Sequence, residues 1–175
     1  PTTAHVWLRG SGAFEYAIEF DTDPAFSRPR RSAPVRASKA EDYTMTIVLE
    51  GLEPGTTYHY RVLAEGEISK YQRDRLPHRL RTAPGGPARF TVGFGSCARV
   101  QSAAGQQPIW GVVERMAPDL FFWLGDNVYA DTLDPDILAE EYRRQREVPS
   151  YQGVMSTVPQ LAVWDDHDYG LNNHD

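Results

Sequence analysis

The sequence predicts two domains: an all-β sandwich over residues 1–83, then an α/β domain on a parallel sheet over residues 88–175. Three observations carry this reading. Apolar and polar residues alternate with a period of two through the first half, the mark of half-buried strands. Proline and glycine gather at Thr82-Ala83-Pro84-Gly85-Gly86-Pro87, and the periodicity changes directly afterwards. Three short apolar runs then alternate with helical patterns, and a β-α-β-α-β order favours parallel strands joined by right-handed crossovers.

In the first half, Val6 and Leu8 open a strand, and Phe14, Tyr16, Ile18 and Phe20 alternate with Glu15, Ala17 and Glu19. Met45, Ile47 and Leu49 alternate with Thr46, Val48 and Glu50, and Glu53-Pro54-Gly55-Thr56 reads as a turn. Beyond it Tyr58, Tyr60 and Val62 face one side, with His59 and Arg61 on the other. No helix is expected here. The string from Leu52 to Val62 resembles the fibronectin type III pattern, in which a tyrosine after the turn anchors a corner. His5, His59 and His78 are scattered and read as surface or packing residues.

In the second half, Arg89 to Gly95 reads as a buried strand ending at Gly95-Ser96-Cys97. A helix follows over Pro108–Met116, with Ile109, Val112, Val113 and Met116 on one face and Pro108 suited to its first turn. Residues 119–124 form the next strand. Its run Leu120 to Leu124, closed by Gly125, reads as buried on both faces. Asp134-Pro135-Asp136 caps a second helix through Leu138, Tyr142 and Arg146, acidic at its start and basic at its end. Gln160 to Trp164 is the third strand, and Asp165-Asp166-His167-Asp168 follows it.

Composition narrows the function. At 175 residues the chain can bury a real core, and 18 basic against 24 acidic residues argue against a nucleic-acid partner. The acidity is uneven: residues 1–86 hold 12 Lys/Arg and 11 Asp/Glu, whereas residues 87–175 hold 6 and 13. Acidic residues gathered in one half fit cation ligands there. One cysteine excludes an intrachain disulfide, and no run approaches the roughly 18 apolar residues of a membrane span. The chain opens on proline, which fits removal of a leader or tag.

All three second-half strands deliver ligand-capable residues at their carboxyl ends, where α/β proteins place ligands. They are Cys97, Asp126 with Tyr129, and Asp165-Asp166-His167-Asp168. A carboxylate and a phenolate are hard oxygen ligands, suited to a trivalent iron or a similar cation. Three carboxylates around His167 would repel one another unless a cation or buried protons neutralised them, which favours a metal. Ser96 lies in no G-x-S-x-G elbow, so a serine nucleophile is not favoured. Asp168, next to His167, is a candidate to orient it, and Arg99 is placed to meet a phosphate.

Taken together, G-S-C (95–97), G-D-N-V-Y (125–129) and W-D-D-H-D-Y-G-x-N-N (164–173) resemble the alkaline phosphatase D (PhoD-like) branch of the metallophosphoesterases. The resemblance implies a fibronectin III-like domain followed by the first part of an α/β/β/α catalytic fold, in a periplasmic or secreted enzyme. It implies hydrolysis of phosphate mono- or diesters. Cys97, Asp126 and Tyr129 would bind Fe3+, and Asp126 would bridge to a second cation, Ca2+ in many members. Asp166 stands where other metallophosphoesterases carry an asparagine ligand and would bind that second metal. His167 would face the leaving group, with Asp168 behind it, and Arg99 and Asn127 would contact substrate. Purple acid phosphatases share the G-D-x-x-Y pattern but usually place an aspartate where this chain has Cys97. Members of the PhoD-like family run well past the third motif, so the resemblance implies the N-terminal portion of such an enzyme. A non-catalytic β-sandwich module with an incomplete metal site is the competing reading.

Overall fold

The computed structural model describes residues 2–70, 78–100 and 107–173. It divides into two compact units, Pro1–Ala88 and Arg89–Asp175.

Strands β1 (Ala4–Arg9) and β5 (Thr44–Leu49) of the first unit pair antiparallel, from Ala4 opposite Leu49 to Arg9 opposite Thr44. A larger sheet centres on β2 (Glu15–Asp21) and β6 (Thr57–Ala64), also antiparallel. The short strands β3 (Arg30–Arg31) and β4 (Val35–Arg36) pair with β2; β7 (Glu67–Ile68) and β8 (His78–Arg81) pair with β6. Alternation decides what is inside. Met45, Ile47 and Leu49 of β5 join Tyr16, Ile18 and Phe20 of β2 and Tyr58 and Tyr60 of β6 in one apolar cluster. Ile18, Ile47 and Leu49 are wholly buried, each worth about 1.5–3 kcal/mol relative to exposure.

The Pro54-Gly55 turn is fixed from two sides. Gly55 has φ +63°, a conformation that disfavours a side chain. The Tyr58 hydroxyl accepts a 2.9 Å hydrogen bond from Glu53 N, and the Thr82 hydroxyl donates to Glu53 O at 2.6 Å. His5 is exposed, and His78 packs its ring 5.4 Å from that of Tyr60. Among the described residues none of His5, His59 and His78 belongs to a cluster of metal-ligand type.

Glu19 breaks the alternation: it is buried although it faces away from the apolar side. Arg31 donates to one carboxylate oxygen at 3.0 Å and Arg61 Nε to the other at 2.6 Å. Arg61 also lies 4.4 Å above the Phe26 ring.

In the second unit, β9 (Val92–Gly95), β10 (Leu120–Leu124) and β11 (Gln160–Val163) form an all-parallel sheet with β10 in the middle. On one face Phe121 and Trp123 pack against Trp110 of α1 (Ile109–Met116) and Tyr151 and Val154 of α3 (Pro149–Thr157). Trp110 is the hub, with ring centroids 4.8 Å from Tyr151, 5.1 Å from Trp123 and 5.7 Å from Phe121. Gly93 lies opposite Phe121 on the neighbouring strand, where a Cβ would come within 3.0 Å of the phenyl ring. Helix α2 (Pro135–Glu147) starts as the sequence predicts, Asp134 accepting from Asp136 N at 2.9 Å.

Three expectations need correction. The run 120–124 is buried on one face only, because α1 and α3 both pack on the Phe121/Trp123 side. On the other side Val92, Phe94, Leu124, Leu161 and Val163 are exposed, Phe94 to 70%. Helix α1 is turned by its tryptophan: Trp110 is buried while Ile109, Val112 and Met116 are exposed. Helix α3 is not anticipated by the sequence, whose S-Y-Q-G-V-M-S-T run has mid-helix glycine and β-branched residues. Packing of Tyr151 and Val154 overrides that weak propensity. Among the described residues no helix is long and apolar enough to cross a membrane.

The Glu19 cluster generates a prediction. Burial pushes its carboxyl up, but the bonds and charges of Arg31 and Arg61 outweigh this and hold it below its ordinary value. A depressed folded-state value contributes stability that is present above the unfolded carboxylate range of about 4.3 and is lost as pH falls through the depressed value. Glu19→Gln should therefore lower neutral-pH stability by about 1–3 kcal/mol and flatten the acid limb. Urea melts between neutral pH and pH 3 read both effects; an acid limb as steep as wild type would assign it to other groups.

Candidate metal centre

Parallel strands end together, so three loops meet beyond the carboxyl ends of β9, β10 and β11. Ala98 N donates to Asp126 O at 3.1 Å, joining the first loop to the second. Asp168 joins the second to the third. Its Oδ1 accepts from Asn127 N at 2.8 Å, Val128 N at 3.1 Å and the Tyr142 hydroxyl at 3.1 Å; its Oδ2 accepts from Asp165 N at 3.0 Å and Asn127 Nδ2 at 3.2 Å. Asp165 caps the single 3-10 turn Asp166–Asp168 through its own bond to Asp166 N. At Gly125 (φ +97°) the second and third loops touch, and a Cβ there would lie 2.7 Å from that of Asp165.

The donor atoms gather on Asp126. Its Oδ2 accepts from the Tyr129 hydroxyl at 2.9 Å and lies 3.5 Å from Cys97 Sγ. Its Oδ1 is buried and, among the described residues, has no hydrogen-bond partner. A buried carboxylate oxygen without a partner is costly in a folded protein, and a cation would satisfy it. Cys97 and Asp126 both hold left-handed backbone, φ 59° and 50°, costing of order 1–3 kcal/mol each and typical of ligand clamps. The Tyr129 phenol is pushed up, first by its hydrogen bond with Cys97, then by burial and by Asp126. Ligand atoms of Asp126, Asp166 and His167 all lie within 4.8 Å of one another. The Asp166 carboxyl is held low, chiefly by a bond from Asn173 N. Thiol, phenol, carboxylates and imidazole form a mixed donor set able to hold a metal cation.

His167 turns to a residue the sequence reading missed. Its Nδ1 lies 2.5 Å from Asp131 Oδ1, and its ring stacks on Tyr129 with centroids 4.2 Å apart. Arg99 covers Tyr129 at 4.9 Å and approaches Asp131 Oδ2 at 3.9 Å. The only sequence signal for Asp131 is an acidic residue two places after Tyr129.

Two expected roles change. Asp168 does not orient His167, because five donors from the loops and α2 saturate both its oxygens. Asn127 is buried; its amide nitrogen is committed to Val163 O and Asp168 and braces the loops, while its Oδ1, among the described residues, has no hydrogen-bond partner. Tyr142 of α2 was expected only as a helix-face residue; its hydroxyl completes the Asp168 cluster. Cys97, Asp126, Tyr129, Asp166, His167 and Arg99 do come together.

The chain is similar to known proteins. The family described as PhoD-like phosphatase, N-terminal domain, matches residues 1–84. Alkaline phosphatase D of Bacillus subtilis (strain 168) is 24% identical over 190 residues, covering 94% of this chain and 31% of that protein. The solved structure of PhoD superposes with a TM-score of 0.76 at 20% identity, over 95% of this chain and 37% of that one. Purple acid phosphatase PPD1 from yellow lupin (Lupinus luteus) seeds follows with a TM-score of 0.59 at 12% identity, over 95% of this chain and 35% of that one. The chain thus spans about a third of the length of the relatives it matches. Residues 1–84 thus match the N-terminal domain of PhoD-like phosphatases, and the chain as a whole is similar in fold to PhoD.

Proposed function

We propose that the chain carries the first part of a metal-dependent centre that hydrolyses phosphate mono- or diesters. The observation that carries this reading is the buried, partnerless Asp126 Oδ1 among Cys97, Tyr129, Asp166 and His167. The names of its relatives, alkaline phosphatase D and PhoD, support it. Cys97, Asp126 and Tyr129 would hold Fe3+, and Asp126 with Asp166 would hold Ca2+. Bound there, the two ions supply positive charge at the phosphoryl oxygens and a water acidic enough to attack phosphorus.

The protein's own residues do the rest. Asp126 sits at the end of a strand, so its carboxylate is fixed by rigid backbone. Arg99, half-exposed beside Tyr129, presents a guanidinium to an anionic ester. His167 gives a proton to the departing alkoxide, which is a poor leaving group without one. Residues 1–83 then form the fibronectin III-like domain, supported by the Tyr58 hydroxyl bond to Glu53 N across the turn. Export to the periplasm or medium goes with that family reading.

Two outcomes follow, both measured in the longest natural polypeptide containing this sequence. If Tyr129 and Cys97 are charge-transfer donors to iron, the metal-loaded protein should absorb in the visible. Tyr129→Phe should shift or abolish that band, and an unchanged spectrum in both Tyr129→Phe and Cys97→Ser would remove them from the ligand set. His167→Ala should lower turnover about a hundredfold or more, the scale of general acid loss. The loss should shrink for nitrophenyl esters, which leave without protonation. Equal losses for good and poor leaving groups would assign His167 to binding or ligation.

A further inference from the structure

The contact between Asp131 and His167 is assigned by none of the three motifs and bears on the chemistry directly. Neutral imidazole carries one proton, on either nitrogen, and the partner of one nitrogen decides the state of the other. A carboxylate only accepts, so an Asp131 oxygen 2.5 Å from Nδ1 requires the proton to be on Nδ1. Nε2 is then the nitrogen that takes up a second proton to give the imidazolium, and that proton is the one that can pass to a leaving alkoxide while Nδ1–H stays on Asp131. Two further contacts restrict the pair. The Tyr129 ring stacks on the imidazole, and Arg99 approaches the second oxygen of Asp131.

We infer that Asp131 is the positioning residue of this centre: it sets the tautomer and ring orientation of His167, and Arg99 steadies its other oxygen. The catalytic meaning of this inference rests on the proton-donor reading of His167; the tautomer itself does not. Asp131 acts through the histidine. The arrangement also links two functions in one carboxylate, since the guanidinium offered to an anionic ester and the imidazole offered to its leaving group lean on opposite oxygens of Asp131.

The test is a long-range 1H–15N spectrum of protein labelled on histidine, recorded at alkaline pH where imidazole is neutral, with the His167 signal assigned by its loss in His167→Gln. Wild type should show the Nδ1–H tautomer. Asp131→Ala should convert it largely to the Nε2–H form that neutral histidine prefers in water, and Asp131→Glu, which keeps a carboxylate, should restore part of the Nδ1–H population. Near-UV circular dichroism checks that the variants are folded. An Nε2–H signal in wild type overturns the inference without any variant being needed, as does an unchanged tautomer in folded Asp131→Ala. In turnover, Asp131→Ala should cost about 10–100-fold in kcat, the usual scale for a residue that orients another, with metal content little changed. A tautomer shift with equal losses for good and poor leaving groups upholds Asp131 and removes only the proton-donor reading of His167.

Discussion

Everything at the carboxyl ends of the sheet depends on one buried side chain, Asp168. A carboxylate with 3% of its surface exposed is tolerable only if its oxygens are fully engaged, and here five donors engage them. Three are backbone N–H groups from two different loops, so the residue welds the loop after β10 to the loop after β11. Tyr142 adds the helix α2 to the same point, which fixes the outer wall of the site. Removing one partner of such a cluster leaves the others buried and unpaired, so the arrangement behaves as a unit.

That unit explains how a site with short-range chemistry is built from distant segments. Cys97, Asp126 and Asp166 are separated by tens of residues in sequence. They meet because parallel strands end on one side of the sheet. The left-handed residues Cys97 and Asp126 then bend the chain sharply enough to bring donors onto one carboxylate. Aspartate tolerates that conformation better than most residues, and cysteine less so. The strain is local, and the aromatic cluster around Trp110 beneath the sheet is the rigid support that sustains it.

Much of this is legible in the sequence, and the exceptions have physical reasons. The strand Leu120–Leu124, the cap at Asp134 and the alternation in β5 are local patterns, and they read correctly. The face that α1 buries is not local: of four apolar residues at helical spacing only Val113 packs inward, because a single tryptophan, meeting three other rings, turns the helix. Helix α3 has no local signal because its stability comes from what it packs against. Among the site residues, the ligand-type side chains are visible as motifs, whereas Asp131 holds the place beside His167 that adjacency would give Asp168. Sequence neighbours on a tight turn point in different directions, so Asp168 faces inward while His167 faces a residue 36 positions away.

Gly125 has no donor atom, yet it sets the reach between the loops. With no Cβ it lets the backbone after β10 lie against Asp165, and the space a methyl group would need is already filled. The spacing between Asp126 and Asp166 is thus gauged by an absent side chain. A protein that widened this contact by one carbon would keep every ligand and still offer a cation a cage of different size, so the choice of ion can drift through a residue that never touches it.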